Sequence, residues 1–202
     1  MRDENHLPPL VFCYTKIDMF NTPLSVPIPL HVLTFETNSP IQTISLVASE
    51  QGLLRVAFGP SQSMEDELGI EMTINGQSSS KMLSIARDEI IAYLAGELHT
   101  FKLPIDWRLV TRFESLVLHA AVQIPFGQVR TYGELAEMIG KPRAARAIGG
   151  ALARNPLPLV IPCHRVVNAK RALHGYSAPG GLETKAWLLT LEGHRVVDQK
   201  LV

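Results

Sequence analysis

The stretch that decides the fold of this chain is residues 145–167, ARAIGGALARNPLPLVIPCHRVV. Its first part continues a helix that we predict from Arg143 to Arg154, and Asn155-Pro156 ends that helix because proline cannot continue one. Pro156, Pro158 and Pro162 are three prolines within seven residues, which excludes both a helix and a central strand, so we predict a stiff extended strap. Apolar residues between the prolines should hold this strap in the core and fix Cys163 relative to the helix.

The strap ends at Cys163 and His164, which together indicate covalent chemistry. The thiolate is the nucleophilic form of cysteine, and a neighbouring imidazole is a plausible means of forming it. Consecutive side chains on extended backbone point to opposite faces, so His164 reaches Cys163 only through a turned backbone or a water. The alternative is that Cys163 is an inert packing residue, as many buried cysteines are.

Upstream of this stretch the sequence predicts a helix-turn-helix. Thr131 and Glu134 fit a capping box, which predicts a short helix from Tyr132 to about Ile139. The residues Gly140-Lys141-Pro142 end that helix, and the helix beginning at Arg143 follows. Two short helices joined by a tight glycine-containing turn are typical of DNA-binding helix-turn-helix units.

The second of these helices carries a basic stripe. Arg143, Arg146, Gly150 and Arg154 fall at i, i+3, i+7 and i+11, so three guanidinium groups should share one face with a glycine between them. Such a face can approach a phosphate backbone closely, while the small apolar residues opposite allow tight packing. The alternative interpretation is an ordinary solvated basic face.

The N-terminal half has the pattern of a small sheet and a helix. The segments 32–35, 44–48 and 53–58 are apolar and β-branched and predict antiparallel strands, and 81–96 predicts a helix with Leu83, Ile85, Ile90, Ile91 and Leu94 near one stripe. Residues 59–80 are predicted to be a surface loop, and another helix should begin near Arg112. We therefore predict an α+β fold with an N-terminal domain at 1–100, a linker at 101–111 and a mostly helical C-terminal domain at 112–202.

Charge and cysteine content narrow the possible partners. The chain has 19 Lys and Arg and 19 Asp and Glu, but residues 126–202 hold eleven basic and five acidic residues, a net charge of +6. This asymmetry indicates an anionic partner such as nucleic acid, or else two oppositely charged domains that face each other. Two distant cysteines form no disulfide framework, and no signal peptide or apolar membrane span is recognisable, so we expect an intracellular soluble protein.

Downstream of the cysteine, residues 174–181 predict a turn-rich loop, and a last helix should run from Leu182 to about Glu192 with Gly193 as its cap. With these segments the chain resembles a known family, the O6-alkylguanine-DNA alkyltransferases or methylated-DNA–protein-cysteine methyltransferases. The resemblance covers roughly residues 95–196. It rests on the motifs YGELA at 132–136, the stretch 145–167, GYS at 175–177, GLE at 181–183, WLL at 187–189 and LEGHR at 191–195.

The resemblance implies a role for each matching residue. Cys163 would accept the alkyl group, His164 would deprotonate it through a water, Glu192 would orient that histidine, and Asn155 would hold the strap. Arg146 would enter the duplex in place of an extruded nucleotide. The remaining implied substrate contacts are Tyr132, Tyr176, Ser177, Val166 through its carbonyl, and Leu152. The remaining implied DNA contacts are Arg143, Ala147, Gly149, Gly150 and Thr131.

The resemblance also implies the reaction and its partners. The activity would be direct reversal of O6-alkylguanine, and also of O4-alkylthymine, in double-stranded DNA. Each molecule would react once by base flipping, as a monomer without a protein partner, and with no metal or organic cofactor. We expect it in the cytoplasm, at the nucleoid in a prokaryote or in the nucleus of a eukaryote. The N-terminal domain would be ribonuclease H-like in outline.

The sequence differs from the family pattern at two points, and two functions other than alkyl transfer stay open. Ala178-Pro179 are two residues more than the family usually has in the pocket loop, so the sequence leaves pocket size and alkyl-group range open. Some family members bind zinc in the N-terminal domain, but Cys13 with only His6 and His31 predicts no zinc site. The alternative functions are a non-catalytic DNA-binding module and a hydrolytic enzyme built on Cys163, His164 and Glu192.

Overall fold

The computed structural model describes residues 11–13, 28–60 and 81–202. Four antiparallel strands form the N-terminal sheet in the order β1 (Val11–Cys13), β2 (Ile28–Glu36), β3 (Thr43–Ser49) and β4 (Gly52–Phe58). The three predicted strands lie within β2, β3 and β4, and the α+β prediction is confirmed. Of the loop predicted at 59–80, residues 61–80 lie outside the described part of the chain.

The sheet packs against helix α1 (Lys81–Leu94). One face of α1 is buried through Leu83, Ala86, Ile90 and Tyr93, which the 3.6-residue period places on one line. The stripe predicted from the sequence was partly wrong, because Ile85 and Ile91 are exposed. Alanine and tyrosine complete the buried face instead of these two isoleucines.

Strand β4 is the edge of the sheet, and segments from the C-terminal half cover it. The amide of Leu53 donates to the carbonyl of Pro104 (2.8 Å), and the amide of Val56 donates to the carbonyl of Pro156 (2.9 Å). Gly52 has a φ of +153°, and a Cβ there would lie 2.5 Å from the oxygen of Pro104, so only glycine permits this approach. The proline strap is thereby hydrogen-bonded directly to the N-terminal sheet.

The predicted helix-turn-helix is present. Helix α2 (Arg112–Val122) precedes it, and its two helices are α3 (Tyr132–Met138) and α4 (Ala145–Ala153). The capping box of α3 is confirmed, with the Thr131 hydroxyl accepting from the Glu134 amide at 3.1 Å and the Glu134 carboxylate accepting from the Thr131 amide. Helix α4 begins two residues later than predicted, because Lys141–Ala144 close a turn of their own.

The proline strap is buried as predicted, but the prediction of an extended conformation was wrong. Residues 156–162 are all buried, and the chain turns there through a hydrogen bond from the Ile161 amide to the Leu157 carbonyl (2.8 Å) and a φ of +73° at Leu159. Asn155 stabilises this turn by accepting from the Leu157 amide (3.0 Å) and donating to the Ile161 carbonyl (2.8 Å). The side chain of Asn155 therefore bridges the turn from the inside.

The chain beyond the strap closes the fold. A 3-10 turn at Cys163–Arg165 leads into β6 (Val166–Val167), which pairs in parallel with β5 (Arg130–Thr131) just before α3. Helix α5 (Leu182–Leu191) and the small hairpin of β7 (Val196–Val197) and β8 (Lys200–Leu201) follow. One continuous apolar cluster joins the sheet, α1, the strap and α5. In the described ranges, no helix has the length and apolar character that crossing a membrane requires.

Candidate active site

Cys163 lies at the wall of a cavity of about 700 Å³ between the helix-turn-helix and the loop before α5. The cysteine is 7% exposed and lines this cavity, so the cavity is the route to its sulfur that the described residues provide. The cavity brings together most of the residues that the sequence implicated in substrate binding. Those lining it are Tyr132, Arg146, Gly149, Leu152, Cys163, Tyr176 and Ser177.

The environment of Cys163 favours the thiol in the absence of substrate. Burial raises the pKa of the Cys163 thiol, while a hydrogen bond from Asn155, the charge of Lys185 and nearby backbone amides act in the opposite direction. Attack by sulfur requires the thiolate, so the site must supply a base that takes the proton.

His164 is the base nearest in sequence, and a network of buried side chains holds its ring. Its Nε2 lies 2.9 Å from Oε1 of Glu192 and 3.1 Å from the hydroxyl of Tyr93. Its Nδ1 is buried and has no hydrogen-bond partner among the described residues. Burial lowers the pKa of His164, although the Glu192 carboxylate opposes this. The ring is therefore held neutral with one nitrogen free.

Glu192 is the centre of this network. Arg165 donates to it through Nε at 2.9 Å and Nη2 at 2.9 Å, Tyr93 donates at 2.7 Å, and the Gly127 amide donates at 3.2 Å. Burial by itself raises the pKa of Glu192, but hydrogen bonds from His164 and Arg165, together with the positive charge that each can carry, outweigh it and lower the pKa to about 2. Glu192 is thus an ionised carboxylate in a buried site.

Lys185 is a buried cation in the site that the sequence did not reveal. Its Nζ donates to the carbonyls of Val166 (2.7 Å) and His174 (3.1 Å), and burial lowers the pKa of Lys185 to about 8. The carbonyl of Val166, which the family resemblance assigned to the base, is thereby bonded to lysine. Val166 is not among the residues that line the cavity.

Two tyrosines offer hydroxyl groups at the cavity. The Tyr132 hydroxyl donates to the His174 carbonyl at 3.3 Å, whereas the buried hydroxyl of Tyr176 has no partner among the described residues. Burial raises the pKa of both phenols, and the negative charge that Cys163 can carry raises them further. Both hydroxyls therefore remain protonated and able to donate.

The basic stripe predicted for the second helix is only partly formed. Arg146 and Ala147 are exposed on α4, Arg146 at the cavity, and Arg143 is exposed in the turn before it. Arg154 instead donates to Glu114 of α2 at 2.6 Å and joins these two helices. The Arg154 side chain is otherwise 65% exposed, so its charge is partly neutralised by Glu114, whereas Arg143 and Arg146 lie at the N-terminal end of α4.

The other residues predicted to contact DNA have clear local roles. Gly149 and Gly150 are half-buried on α4, and a Cβ at Gly149 would lie 3.8 Å from the Tyr132 ring. Thr131 is the N-cap of α3, so its hydroxyl is already used within the protein. Of these three residues, Gly149 lines the cavity beside Arg146, and none of them adds charge.

The two additional loop residues do not line the cavity. Ala178 is buried away from it, and the carbonyl of Pro179 accepts a hydrogen bond from the Thr184 hydroxyl. Among the described side chains, no three His, Cys, Asp or Glu are placed together so that they could hold a metal ion; His6 and the side chain of Cys13 lie outside them.

Comparison with known proteins places this geometry in a family. Residues 112–199 match the family model for "6-O-methylguanine DNA methyltransferase, DNA binding domain", and residues 34–107 match the one for its "ribonuclease-like domain". A methylated-DNA–protein-cysteine methyltransferase of Methanosarcina acetivorans is 40% identical over 158 residues, which cover 77% of this chain and 94% of the relative. One from Methanosarcina barkeri is 39% identical over 154 residues, 76% of this chain and 92% of the relative.

Solved structures agree with the sequence comparisons. The Mycobacterium tuberculosis OGT in complex with DNA is similar with a TM-score of 0.66 and 36% identity, covering 80% of this chain and 92% of that one. The O6-methylguanine-DNA methyltransferase of Pyrococcus kodakaraensis is similar with a TM-score of 0.54 and 27% identity, covering 81% of this chain and 99% of that one.

Proposed function

Because this chain belongs to the methylated-DNA–protein-cysteine methyltransferase family, we propose that Cys163 is the residue through which it repairs alkylated DNA. The reaction is direct reversal, in which the alkyl group of O6-alkylguanine is transferred to a protein cysteine. One observation carries the assignment to Cys163: it is the cysteine at the cavity, between the helix-turn-helix and the His164–Glu192 pair. The structure describes no other cysteine side chain.

The proposed step begins with removal of the thiol proton. A water between Cys163 and Nδ1 of His164 would relay the proton to the imidazole, since that nitrogen has no partner among the described residues. Sulfur then attacks the alkyl carbon, the S–C bond forms, and the C–O6 bond breaks with its electron pair passing into the purine. The purine takes up one proton from the site, which balances the proton that the thiol passed to the imidazole, so guanine replaces O6-alkylguanine and the thiol becomes a thioether.

Groups already in the site can stabilise the leaving purine. The unpartnered hydroxyl of Tyr176 is buried at the cavity and protonated, so it can donate to the oxygen or ring nitrogen on which negative charge develops. Tyr132 and Ser177 line the same cavity and can hold the base. The cation of Lys185 favours the thiolate electrostatically.

The position of Cys163 requires that the base leave the duplex. A sulfur that is 7% exposed cannot meet an alkyl group inside the base stack, so the nucleotide must rotate into the cavity. We propose that Arg146, exposed at the cavity on α4, enters the space that the nucleotide leaves. Arg143 and the glycines of α4 would approach the phosphates, which gives affinity with little sequence preference.

The proposal also covers properties that follow from this chemistry. A thioether is stable and no described residue is placed to hydrolyse it, so each molecule reacts once. We propose that the protein acts as a monomer on double-stranded DNA that carries O6-alkylguanine or O4-alkylthymine, in the compartment that holds the DNA. The division into domains at 1–100 and 112–202 with a linker between them remains part of the proposal, and the two matched family segments support it.

A Cys163→Ser variant distinguishes alkyl transfer to Cys163 from DNA binding without transfer. We expect the variant to bind duplex containing O6-methylguanine as tightly as the parent protein, because the DNA-facing surface is unchanged, and to accept no alkyl group. Binding is measured by fluorescence anisotropy and transfer by loss of the labelled methyl group from DNA. Transfer at the parent rate by the variant would refute the assignment of Cys163.

A further inference from the structure

Among the described residues, Tyr93 is the one buried side chain of the His164–Glu192 network that comes from the N-terminal half. It lies on the buried face of α1 and is fully enclosed, yet its hydroxyl reaches 71 positions along the chain to His164 and 99 positions to Glu192. The rings of Phe101 and Phe126 pack against it, with centroids 5.3 Å and 6.2 Å away. These contacts fix where the hydroxyl points.

The hydrogen-bond geometry determines where each proton of the network lies. Tyr93 has one proton, and it is directed to Oε1 of Glu192 at 2.7 Å, because an ionised carboxylate can only accept. Burial and the neighbouring carboxylate raise the pKa of Tyr93, which keeps this proton in place. The oxygen of Tyr93 therefore faces Nε2 of His164, 3.1 Å away, with a lone pair.

Both groups that face Nε2 of His164 are consequently acceptors. The Glu192 carboxylate lies 2.9 Å from Nε2, and the Tyr93 oxygen lies 3.1 Å from it. A ring nitrogen between two acceptors must carry a hydrogen, and in a neutral imidazole the other nitrogen is then a bare acceptor. The nitrogen left bare is Nδ1, the one with no partner among the described residues.

We propose that Tyr93 is a positioning residue that holds His164 in the Nε2–H form and so makes Nδ1 the proton acceptor for the thiol. This inference rests on the proposed alkyl transfer and adds to it a residue from the N-terminal sheet domain. Glu192 without Tyr93 would hold the imidazole ring less firmly than the two residues do together. Its carboxylate is shared, because it also accepts hydrogen bonds from Arg165 and the Gly127 amide. Tyr93 supplies the second acceptor and, through its proton, holds the carboxylate oxygen that faces the ring.

The test measures which nitrogen of the His164 ring carries the hydrogen, and it measures the rate of methyl transfer. In protein labelled with ¹⁵N-histidine, the signals of His164 are assigned by their loss in His164→Asn, and their shifts report which nitrogen carries the hydrogen. The single-turnover rate of methyl transfer is measured at saturating O6-methylguanine duplex for the parent, for Tyr93→Phe and for Ile90→Val. Ile90 is buried on the same helix and has no polar group, so its variant removes a methylene from the same core and no hydrogen bond to His164.

We expect the Nε2–H form in the parent and a rise of the Nδ1–H form in Tyr93→Phe. The transfer rate of Tyr93→Phe should fall about tenfold or more, a part of the 10²–10⁴-fold that a positioned base contributes. DNA affinity and the rate of Ile90→Val should stay near those of the parent. This split identifies positioning, because general destabilisation would affect both variants.

Two results would overturn the inference. One is an Nδ1–H form of His164 in the parent protein, which decides the question even if Tyr93→Phe does not fold. The other is a transfer rate of folded Tyr93→Phe within about twofold of the parent, well short of the loss expected for a mispositioned base. A parent protein that accepts no methyl group would refute the proposed function instead, whatever form the histidine takes.

Discussion

Replacement of Glu192 by glutamine should change how the stability of the protein depends on pH. Glutamine keeps the shape of the side chain but cannot ionise. In the native structure the Glu192 carboxylate accepts from Tyr93, His164, Arg165 and the Gly127 amide, and it is buried. Of these partners, His164 and Arg165 outweigh the effect of burial through their hydrogen bonds and charge, and they hold the pKa of Glu192 at about 2, against an ordinary value of 4.5.

The magnitude follows from the two pKa values. Because the pKa is lower in the folded state, the stabilisation is fully present above pH 4.5 and is lost as the pH falls toward 2. The complete loss corresponds to about 3 kcal/mol, and about 1.4 kcal/mol of it should be gone by about pH 3.5. In Glu192→Gln this contribution is absent, since nothing at that position takes up a proton.

The assay compares urea unfolding of the two proteins at neutral pH and at about pH 3.5. At neutral pH the variant should be less stable by about 3–5 kcal/mol, because Arg165 is left buried without its partner. At about pH 3.5 this difference should shrink by about 1.4 kcal/mol. Glu183→Gln is the matched control, since Glu183 is exposed on α5, and its difference from the parent should stay small at both pH values.

A stability difference between the parent and Glu192→Gln that is the same at both pH values would refute the reasoning. It would mean that Glu192 is already protonated, or has an ordinary pKa, in the folded protein. Glu192 would then not be the anion that orients His164. The proton relay to Nδ1 would lose its support.

Three further variants test separate parts of the site. Arg146→Ala should slow repair of duplex DNA more than tenfold, because extrusion of a base costs a few kcal/mol, but it should leave the reaction with free O6-benzylguanine nearly unchanged. Equal losses of rate on the two substrates would exclude an intercalating role for Arg146. Tyr176→Phe should slow methyl transfer without loss of thermal stability, since its buried hydroxyl has no partner among the described residues to lose; an unchanged rate would show that the hydroxyl does not assist the purine. Asn155→Ala should lower the free energy of unfolding by about 1–3 kcal/mol, as the Leu157 amide and the Ile161 carbonyl lose their partner; urea unfolding within about 0.5 kcal/mol of the parent would show that the strap holds without it.

Local signals in the sequence were sufficient for the helix-turn-helix. Thr131 and Glu134 stand three residues apart, which is all that a capping box needs, and the structure contains both of its hydrogen bonds. The same holds for the ends of α1 and α5, where Gly96 and Gly193 follow the last turn with positive φ. Interactions between residues close in sequence determine these features.

Long-range contacts explain what the sequence did not reveal. The strap turns because the side chain of Asn155 bridges two backbone groups, although its prolines alone favour an extended chain. Tyr93 looked like part of an ordinary apolar helix, and Lys185 like one more charge on α5, but both are buried at the site. Arg154 has the spacing of a DNA contact, yet Glu114, 40 positions away, binds it. A buried polar residue can be recognised only once its partners are in place.

The most direct test of the central claim is the intact mass of the protein after incubation with duplex DNA that contains O6-methylguanine, followed by peptide mapping. We expect a gain of one methyl group per chain that saturates at one equivalent and maps to Cys163. Two results would contradict the account: continued loss of the methyl group from DNA beyond one equivalent, or tight binding with no change in mass. The first would indicate a turning-over enzyme, and the second a DNA-binding protein whose cysteine does not react.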